Sequence, residues 1–259
     1  MRRLFSALSL AAVFALASSA ALAHDLWVAA DNPAPGQPLK AHVGYGHKYP
    51  APEVISDMEL PFVTLSVIGA NGPVKSSVGT PNYNFATDAP VDKGTYLTVA
   101  DFGNMFWSTT PAGPSLKPKD ESPGATACTL YLWTAKGVVS VGGDTDASVA
   151  TKPAGLPLEI VPLAHPGTVK PGGKLTLQVL LDGKPLAGAV VKGRYGAFAS
   201  LASGTAMAYS DTTDQEGKVT FVPLAAGDWV VTARSEKPYD QLNKCDKVDW
   251  GASLDFVIN

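Results

Sequence analysis

The sequence predicts an all-β protein made of two antiparallel, sandwich-like domains. Short runs of β-branched and aromatic residues recur along the chain, and clusters of Gly, Pro, Asn and Asp separate them. The 25 glycines and 21 prolines are typical of short strands joined by turns. No window of helical length keeps an apolar period of 3.6 residues with capping signals, so long helices are not expected.

The first half of the chain contains several predicted strands of this kind. Their ranges are Leu39–Val43, Phe62–Ile68, Thr95–Ala100, Thr129–Trp133 and Val138–Val141. Turn signals such as Asp92-Lys93-Gly94 and Gly142-Gly143-Asp144 separate them. These strands predict an N-terminal β domain over residues 24–150, with longer loops at 46–59 and 101–126.

A change in composition at Asp144–Pro157 predicts a linker, because this stretch is small, polar and contains Pro and Gly. Beyond it, Lys174–Leu181 alternates apolar and polar residues, and Asp182-Gly183 signals a tight turn. Further strands are predicted at Ala189–Val191, Lys218–Val222 and Trp229–Ala233. Their hairpin spacing predicts a second antiparallel sandwich over residues 156–259.

The first 23 residues have the features of a cleavable signal peptide. Arg2 and Arg3 precede an apolar stretch too short to span a membrane, and Ala21-Leu22-Ala23 is a small-residue cleavage pattern. We therefore expect export to the periplasm and a mature chain that begins at His24. A cut after Ala20 is the second candidate.

Composition and charge limit the kinds of molecule that the protein is expected to bind. The chain has a formal net charge of −3, and removal of the two signal-peptide arginines would make it about −5, which argues against nucleic-acid binding. No later stretch has the length of a transmembrane helix, so no span is expected in the mature chain. In an oxidising compartment Cys128 and Cys245 are expected to form a disulfide, with two independently buried thiols as the alternative.

Three stretches carry a resemblance to a known family. They are AHDLWVAADNPAPGQPLKAHVGYGH at the start, LPLEIVPLAHPGTVKPGGKLTLQVLLDGKPLAGAVVKGRYG, and TDQEGKVTFVPLAAGDWVVTARS. Together they resemble the domain-of-unknown-function 4198 family, which consists of exported bacterial proteins, many associated with nickel or cobalt uptake. The second half is also similar to carboxypeptidase-regulatory-like and prealbumin-like (Ig-like) modules. The resemblance implies extracytoplasmic metal handling, with membrane metal-transporter subunits as partners.

Three of the four histidines, His24, His42 and His47, lie close together in sequence at the expected mature N-terminus. Imidazole is a favoured ligand of divalent transition metals, so these three are the predicted ligands of nickel, cobalt or copper. Cleavage before His24 would add its α-amine as a second nitrogen ligand. The fourth histidine, His165, is predicted to be structural.

The sequence alone does not determine whether the three histidine side chains point to one place. Side chains five residues apart on a straight strand point to opposite faces, and His42 and His47 would need a bend at Gly44 or Gly46. The alternative is three histidines with separate polar roles. Asp25 is predicted to support a ligand ring from behind, or else to be solvated.

Acidic and aromatic residues near these histidines could also belong to a metal site or have ordinary structural roles. Glu53, Asp57 and Glu59 could add oxygen ligands, although a solvated loop is the favoured interpretation. Trp27 and Tyr45 are predicted to be core aromatics.

Three functions follow from these observations. The first is an exported, non-catalytic metal-binding accessory protein. The second is a copper-dependent oxidative enzyme built on an N-terminal histidine chelate, although no catalytic motif is found. The third is an interaction module of the cell envelope that binds through exposed strand edges.

Overall fold

Eighteen β-strands account for about half of the residues that the computed structural model describes, which are 24–31, 34–79, 83–201 and 206–259. The predicted signal peptide, residues 1–23, lies outside these ranges. The strands are β1 (Asp25–Ala30), β2 (Lys40–Gly46), β3 (Thr64–Gly69), β4 (Gly72–Val74), β5 (Ser76–Val78), β6 (Asn84–Thr87), β7 (Gly94–Asp101), β8 (Met105–Thr110), β9 (Gly113–Ser115), β10 (Ala127–Val141), β11 (Leu158–Pro162), β12 (Leu175–Leu181), β13 (Lys184–Pro185), β14 (Val190–Tyr195), β15 (Tyr209–Thr212), β16 (Lys218–Phe221), β17 (Gly227–Pro238) and β18 (Lys247–Ile258).

Helices are few and short in the described ranges. They are α1 (Ala147–Ala150), α2 (Gly196–Leu201) and three single-turn 3₁₀ helices at Leu60–Phe62, Lys119–Glu121 and Pro166–Thr168. None of these helices has the length and apolar character needed to cross a membrane. The all-β prediction is confirmed.

The strands form three sheets. A ten-stranded sheet has the order β15-β14-β17-β18-β10-β7-β3-β4, with β8 paired to β10 and β9 to β8. One four-stranded sheet has the order β1-β2-β6-β5, and in the other β12 pairs with β11, β13 and β16. All pairs are antiparallel except β10 with β18.

Each four-stranded sheet packs on a different part of the ten-stranded sheet, which gives two sandwich-like units. Residues of β1 and β2 share a hydrophobic cluster with residues of β7 and β10, and residues of β11 and β12 share another with β17 and β18. The predicted alternation in β12 is present, since Leu175, Leu177 and Val179 are all fully buried. The boundary between residues 150 and 156 stays a prediction, because the ten-stranded sheet continues across both units.

Several predicted strands have the expected positions, and the structure differs from the prediction at β10 and β18. Thr129–Trp133 and Val138–Val141 are parts of one continuous strand, β10, whose first half pairs with β8 and second half with β7. The predicted set ended at Ala233, but β18 follows and lies at the centre of the ten-stranded sheet. The turn at Asp182-Gly183 is confirmed, with φ values of 50° and 72°.

The parallel pair β10–β18 begins at a disulfide. Cys128 and Cys245 are bonded, with an S–S distance of 2.02 Å, and both are buried. Beside the bond, the Cys128 N–H donates to Asp246 Oδ2 at 2.7 Å, and the Lys119 ammonium pairs with the same carboxylate. The predicted disulfide is therefore confirmed, and it joins the starts of two strands that are 117 residues apart in sequence.

A buried carboxyl group connects the small N-terminal sheet to the large one. Asp255, on β18, is 6% exposed, and its Oδ2 accepts a hydrogen bond from the Val28 N–H at 3.3 Å. Burial raises the pKa of Asp255 well above its ordinary value, and the nearby Asp228 charge acts in the same direction. The folded protein therefore favours the protonated form of this side chain.

We predict that replacing both Cys128 and Cys245 with serine lowers the free energy of unfolding by about 3–5 kcal/mol, because the crosslink closes a long loop in the unfolded chain. Urea denaturation of the oxidised protein and of the variant measures this difference. Dithiothreitol should lower the stability of the wild type and leave the variant unchanged. Equal stability of the two oxidised proteins would contradict the prediction.

We predict that Asp255→Asn raises the melting temperature at pH 7. A raised folded-state pKa means that the folded state binds a proton that the unfolded state has released, so wild-type stability falls as the pH rises above the unfolded pKa near 4. The asparagine side chain of the variant needs no such proton. Each kcal/mol of additional unfolding free energy raises the melting temperature by about 2–4 °C for a chain of this size. The difference should shrink towards pH 4.

Thermal unfolding between pH 4 and pH 8 tests this prediction, with Asp211→Asn on the exposed part of β15 as the control, since it makes the same replacement at an exposed position. A variant at position 255 that is less stable than wild type at pH 7 would contradict it.

Candidate metal centre

His24 and His47 face each other at the open end of the β1–β2 pair. The register joins Asp25 to Gly46, and one further step along the same ladder places His24 opposite His47. Directly opposite residues on one face have neighbouring side chains. The two imidazole rings accordingly lie with their centroids 4.2 Å apart.

Glu53 joins the two histidines through the loop that follows β2. The Glu53 N–H donates to the Tyr45 carbonyl oxygen at 2.7 Å, which folds the loop back over His47. Glu53 Oε1 lies 2.8 Å from His47 Nδ1 and accepts from the His47 N–H at 2.9 Å, while Oε2 lies 3.4 Å from His24 Nε2.

Gly46 makes this close approach feasible. Its φ is +133°, and a Cβ there would lie 2.7 Å from the Glu53 side chain. Any other residue at this position would displace the carboxylate from the histidines.

The three side chains are suited to bind a metal ion. One ligand atom from each of His24, His47 and Glu53 lies within 4.8 Å of the other two. Ligands of one transition-metal ion are separated by about 3–4 Å, since each bond is about 2.0–2.2 Å long. Small side-chain movements would therefore bring all three within bonding distance of one ion.

The charge states of the site favour metal binding at neutral pH. Partial burial lowers the pKa of His24, and the neighbouring His47 acts in the same direction, while Glu53 opposes it. Hydrogen bonds from the His47 backbone and ring lower the pKa of Glu53. The site thus presents a neutral imidazole from His24 and an ionised carboxylate from Glu53, which are the forms that bind metals.

Two arginines from the second half of the chain hold the backbone of the site. Asp25 accepts from Arg194 Nη2 at 2.9 Å and from Arg234 Nη2 at 3.3 Å. Arg234 also donates to the His24 carbonyl oxygen, and Arg194 Nη1 donates to the His47 carbonyl oxygen at 3.4 Å. The predicted support from Asp25 to a ligand ring is therefore replaced by support to the main chain, because the Asp25 carboxylate is engaged by these arginines.

Tyr45 forms the inner wall of the site. Its ring centroid lies 4.4 Å from that of His24, and its hydroxyl donates to Glu59 Oε1 at 2.8 Å. Glu59 is buried and also accepts from the Ser56 hydroxyl at 2.6 Å, so it orients Tyr45 and stands outside the group of three. Tyr45 and Trp27 are both buried, as predicted for core aromatics.

The structure does not bring His42 to this site. It pairs with Ala29 on β1 and Asn84 on β6, and the pleat turns its side chain to the face opposite Tyr45 and His47. The bend that the sequence allowed at Gly44 does not occur, since Gly44 stays in register with Trp27. Glu53 takes the place that the sequence analysis gave to His42.

His165 is buried at the start of a 3₁₀ helix, where its Nδ1 accepts from the Gly167 N–H at 3.1 Å. It has the structural role that the sequence predicted. The contributions of Arg194 and Arg234 were missed, because they lie 169 and 209 residues from Asp25 and no local pattern connects them. For Glu53, a carboxylate six residues after a histidine was the available signal.

Comparison with known proteins yields one family and several distant structures. No curated protein matches the chain. A biofilm-associated protein (BSP domain) is 13% identical with a TM-score of 0.23, and the alignment covers 90% of this chain and 29% of that one. A domain fragment of intimin is 16% identical (TM-score 0.21, 88% and 96% covered), and a domain fragment of titin is 9% identical (TM-score 0.20, 88% and 64% covered).

The family comparison covers most of the chain. Residues 21–237 match the family model described as domain of unknown function DUF4198, and this range includes His24, His47, Glu53 and both anchoring arginines. The chain therefore belongs to the DUF4198 family.

Proposed function

We propose that this protein is an exported periplasmic accessory protein that binds a divalent transition metal and delivers it to an uptake system. The observation that carries the proposal is the convergence of His24, His47 and Glu53, whose ligand atoms lie within 4.8 Å of one another. Two imidazoles and a carboxylate suit nickel, cobalt and copper. Nickel and cobalt come first, since the family resemblance implies a link to their uptake.

The exposure of the site supports delivery over permanent structural binding. The side chains of His24, His47 and Glu53 are 34%, 30% and 45% exposed. Structural metal sites usually have four protein ligands and are closed to solvent, whereas three ligands at a solvent-accessible edge leave a coordination position open. A membrane transporter subunit that offers a further ligand could take the ion from this edge by ligand exchange.

Export is part of the same proposal. Cleavage after Ala23 would convert His24 into the first residue, whose α-amine and ring nitrogen can bind one ion together. Anchoring of the His24 carbonyl oxygen by Arg234 supports this arrangement, because it holds the main chain of that residue beside the site.

We predict that His47→Ala weakens nickel binding at least tenfold, because it removes one of three ligands. His42→Ala should bind as wild type does, since His42 lies on β2 with its side chain on the face opposite the site. Isothermal titration of the processed protein with Ni²⁺, Co²⁺ and Cu²⁺ measures the affinities. Glu53→Gln, which keeps the shape of the side chain but removes its charge, should also weaken binding.

The difference in nickel affinity between His42→Ala and His47→Ala decides the proposal. If His42→Ala and His47→Ala weaken binding equally, or if neither does, the site is not the one described.

We further predict that the exported protein begins at His24 and that one additional alanine before it weakens copper and nickel binding at least tenfold. The extra residue converts the basic α-amine into an amide, which is a poor ligand while it keeps its proton. Mass spectrometry of the exported protein determines the first residue, and the same titration compares the two forms. Equal affinities would show that only the ring of His24 takes part.

A further inference from the structure

A second concave site lies on the other face of the β1–β2 pair, between that pair and the ten-stranded sheet. It is a cavity of about 320 Å³. The buried Tyr49 and Asp255 line it together with the more exposed Asp31, His42 and Asp228. Apolar lining comes from Val28, Val138 and Phe256 among others.

Asp255 has unused acceptor capacity in this cavity. Oδ2 accepts from the Val28 N–H, whereas Oδ1 accepts no hydrogen bond from the described residues. No lysine or arginine lines the cavity in the part of the chain that the structure describes. The Asp255 carboxyl group is 94% buried and has no counter-charge from the described residues, which is why its protonated form is favoured, and a cationic ligand in the cavity would stabilise its ionised form.

Tyr49 adds a second free polar group. Its ring packs edge-on against Trp27, with centroids 5.7 Å apart, and its hydroxyl makes no hydrogen bond within the described ranges. Tyr49, Asp228 and Asp255 all line this cavity, so the three side chains border a common space.

A structural role alone does not account for this set. Satisfying the Val28 N–H, which lies on the unpaired edge of β1, needs one acceptor oxygen. An asparagine at position 255 would provide it without the cost of burying a carboxyl group. The same task makes no use of the Tyr49 hydroxyl or of Asp228.

The arrangement is too wide for a single metal ion. Among the described residues, His24, His47 and Glu53 form the group whose ligand atoms converge, and no residue of this cavity belongs to it. The volume corresponds to a small organic ligand. Besides His42, the polar groups of the cavity are two carboxylates at its rim, the Asp255 carboxyl group and a phenol. This set suits a ligand that donates hydrogen bonds and carries positive charge.

We propose that this cavity binds the primary ammonium group of a small aliphatic amine, with Asp255 and Tyr49 around the ammonium and the apolar lining around the methylene chain. Asp31 and Asp228 at the rim attract the cation. This proposal is independent of the metal centre, because the two sites lie on opposite faces of the β1–β2 pair and share no side chain.

The test is an NMR titration of the metal-free, processed protein with n-butylammonium, with 1-butanol as its neutral isostere. The amide resonances of Val28 and Gly137, which border the cavity, report binding. We expect saturable shifts with n-butylammonium and affinity at least tenfold lower for 1-butanol. Equal affinities would overturn the proposal, since they would mean that the cavity recognises only the alkyl chain.

Matched variants locate the ammonium group. Asp255→Asn should weaken n-butylammonium binding at least tenfold, although it is expected to be the more stable protein, so unfolding cannot cause the loss. Asp211→Asn makes the same replacement at a distant exposed position and should bind as wild type does. Wild-type affinity in Asp255→Asn would reject the site as described, and His47→Ala should leave the titration unchanged.

Discussion

The parallel pairing of β10 with β18 is the constraint on which the rest of the structure depends. It places a strand from the end of the chain in the middle of the large sheet, beside a strand from the first half. The Cys128–Cys245 bond fixes the end at which both strands begin. Because β17 and β14 follow β18 in the sheet, the same pairing carries Arg234 and Arg194 to the N-terminal strands.

The candidate metal centre is therefore a product of both halves of the chain. The β1–β2 pair supplies the positions of His24 and His47, and the following loop supplies Glu53. The arginines fix the carbonyl oxygens of the two histidines, and the Asp25 carboxylate pairs with both arginines. Ligands at a sheet edge are easily displaced by fraying, so main-chain anchoring of this kind preorganises the site.

The two faces of the β1–β2 pair have different chemistry. Tyr45 and His47 lie on one face, and His42 and Gly44 lie on the other. A strand turns alternate side chains to opposite sides, and a single residue of offset therefore decides which site a histidine joins. This alternation explains why His24 and His47 lie together on one face while His42, which is close to them in sequence, lies on the other.

The sequence by itself determined the β class, the position of many strands, the alternation of β12 and the Asp182-Gly183 turn, because these depend on neighbouring residues. It also predicted the Cys128–Cys245 bond, which is present in the structure. Only the tertiary structure decided that β10 and β18 are parallel neighbours, that Glu53 replaces His42 and that two distant arginines support the site. Such contacts depend on strand order and register across more than a hundred residues, and local sequence patterns carry no information about either.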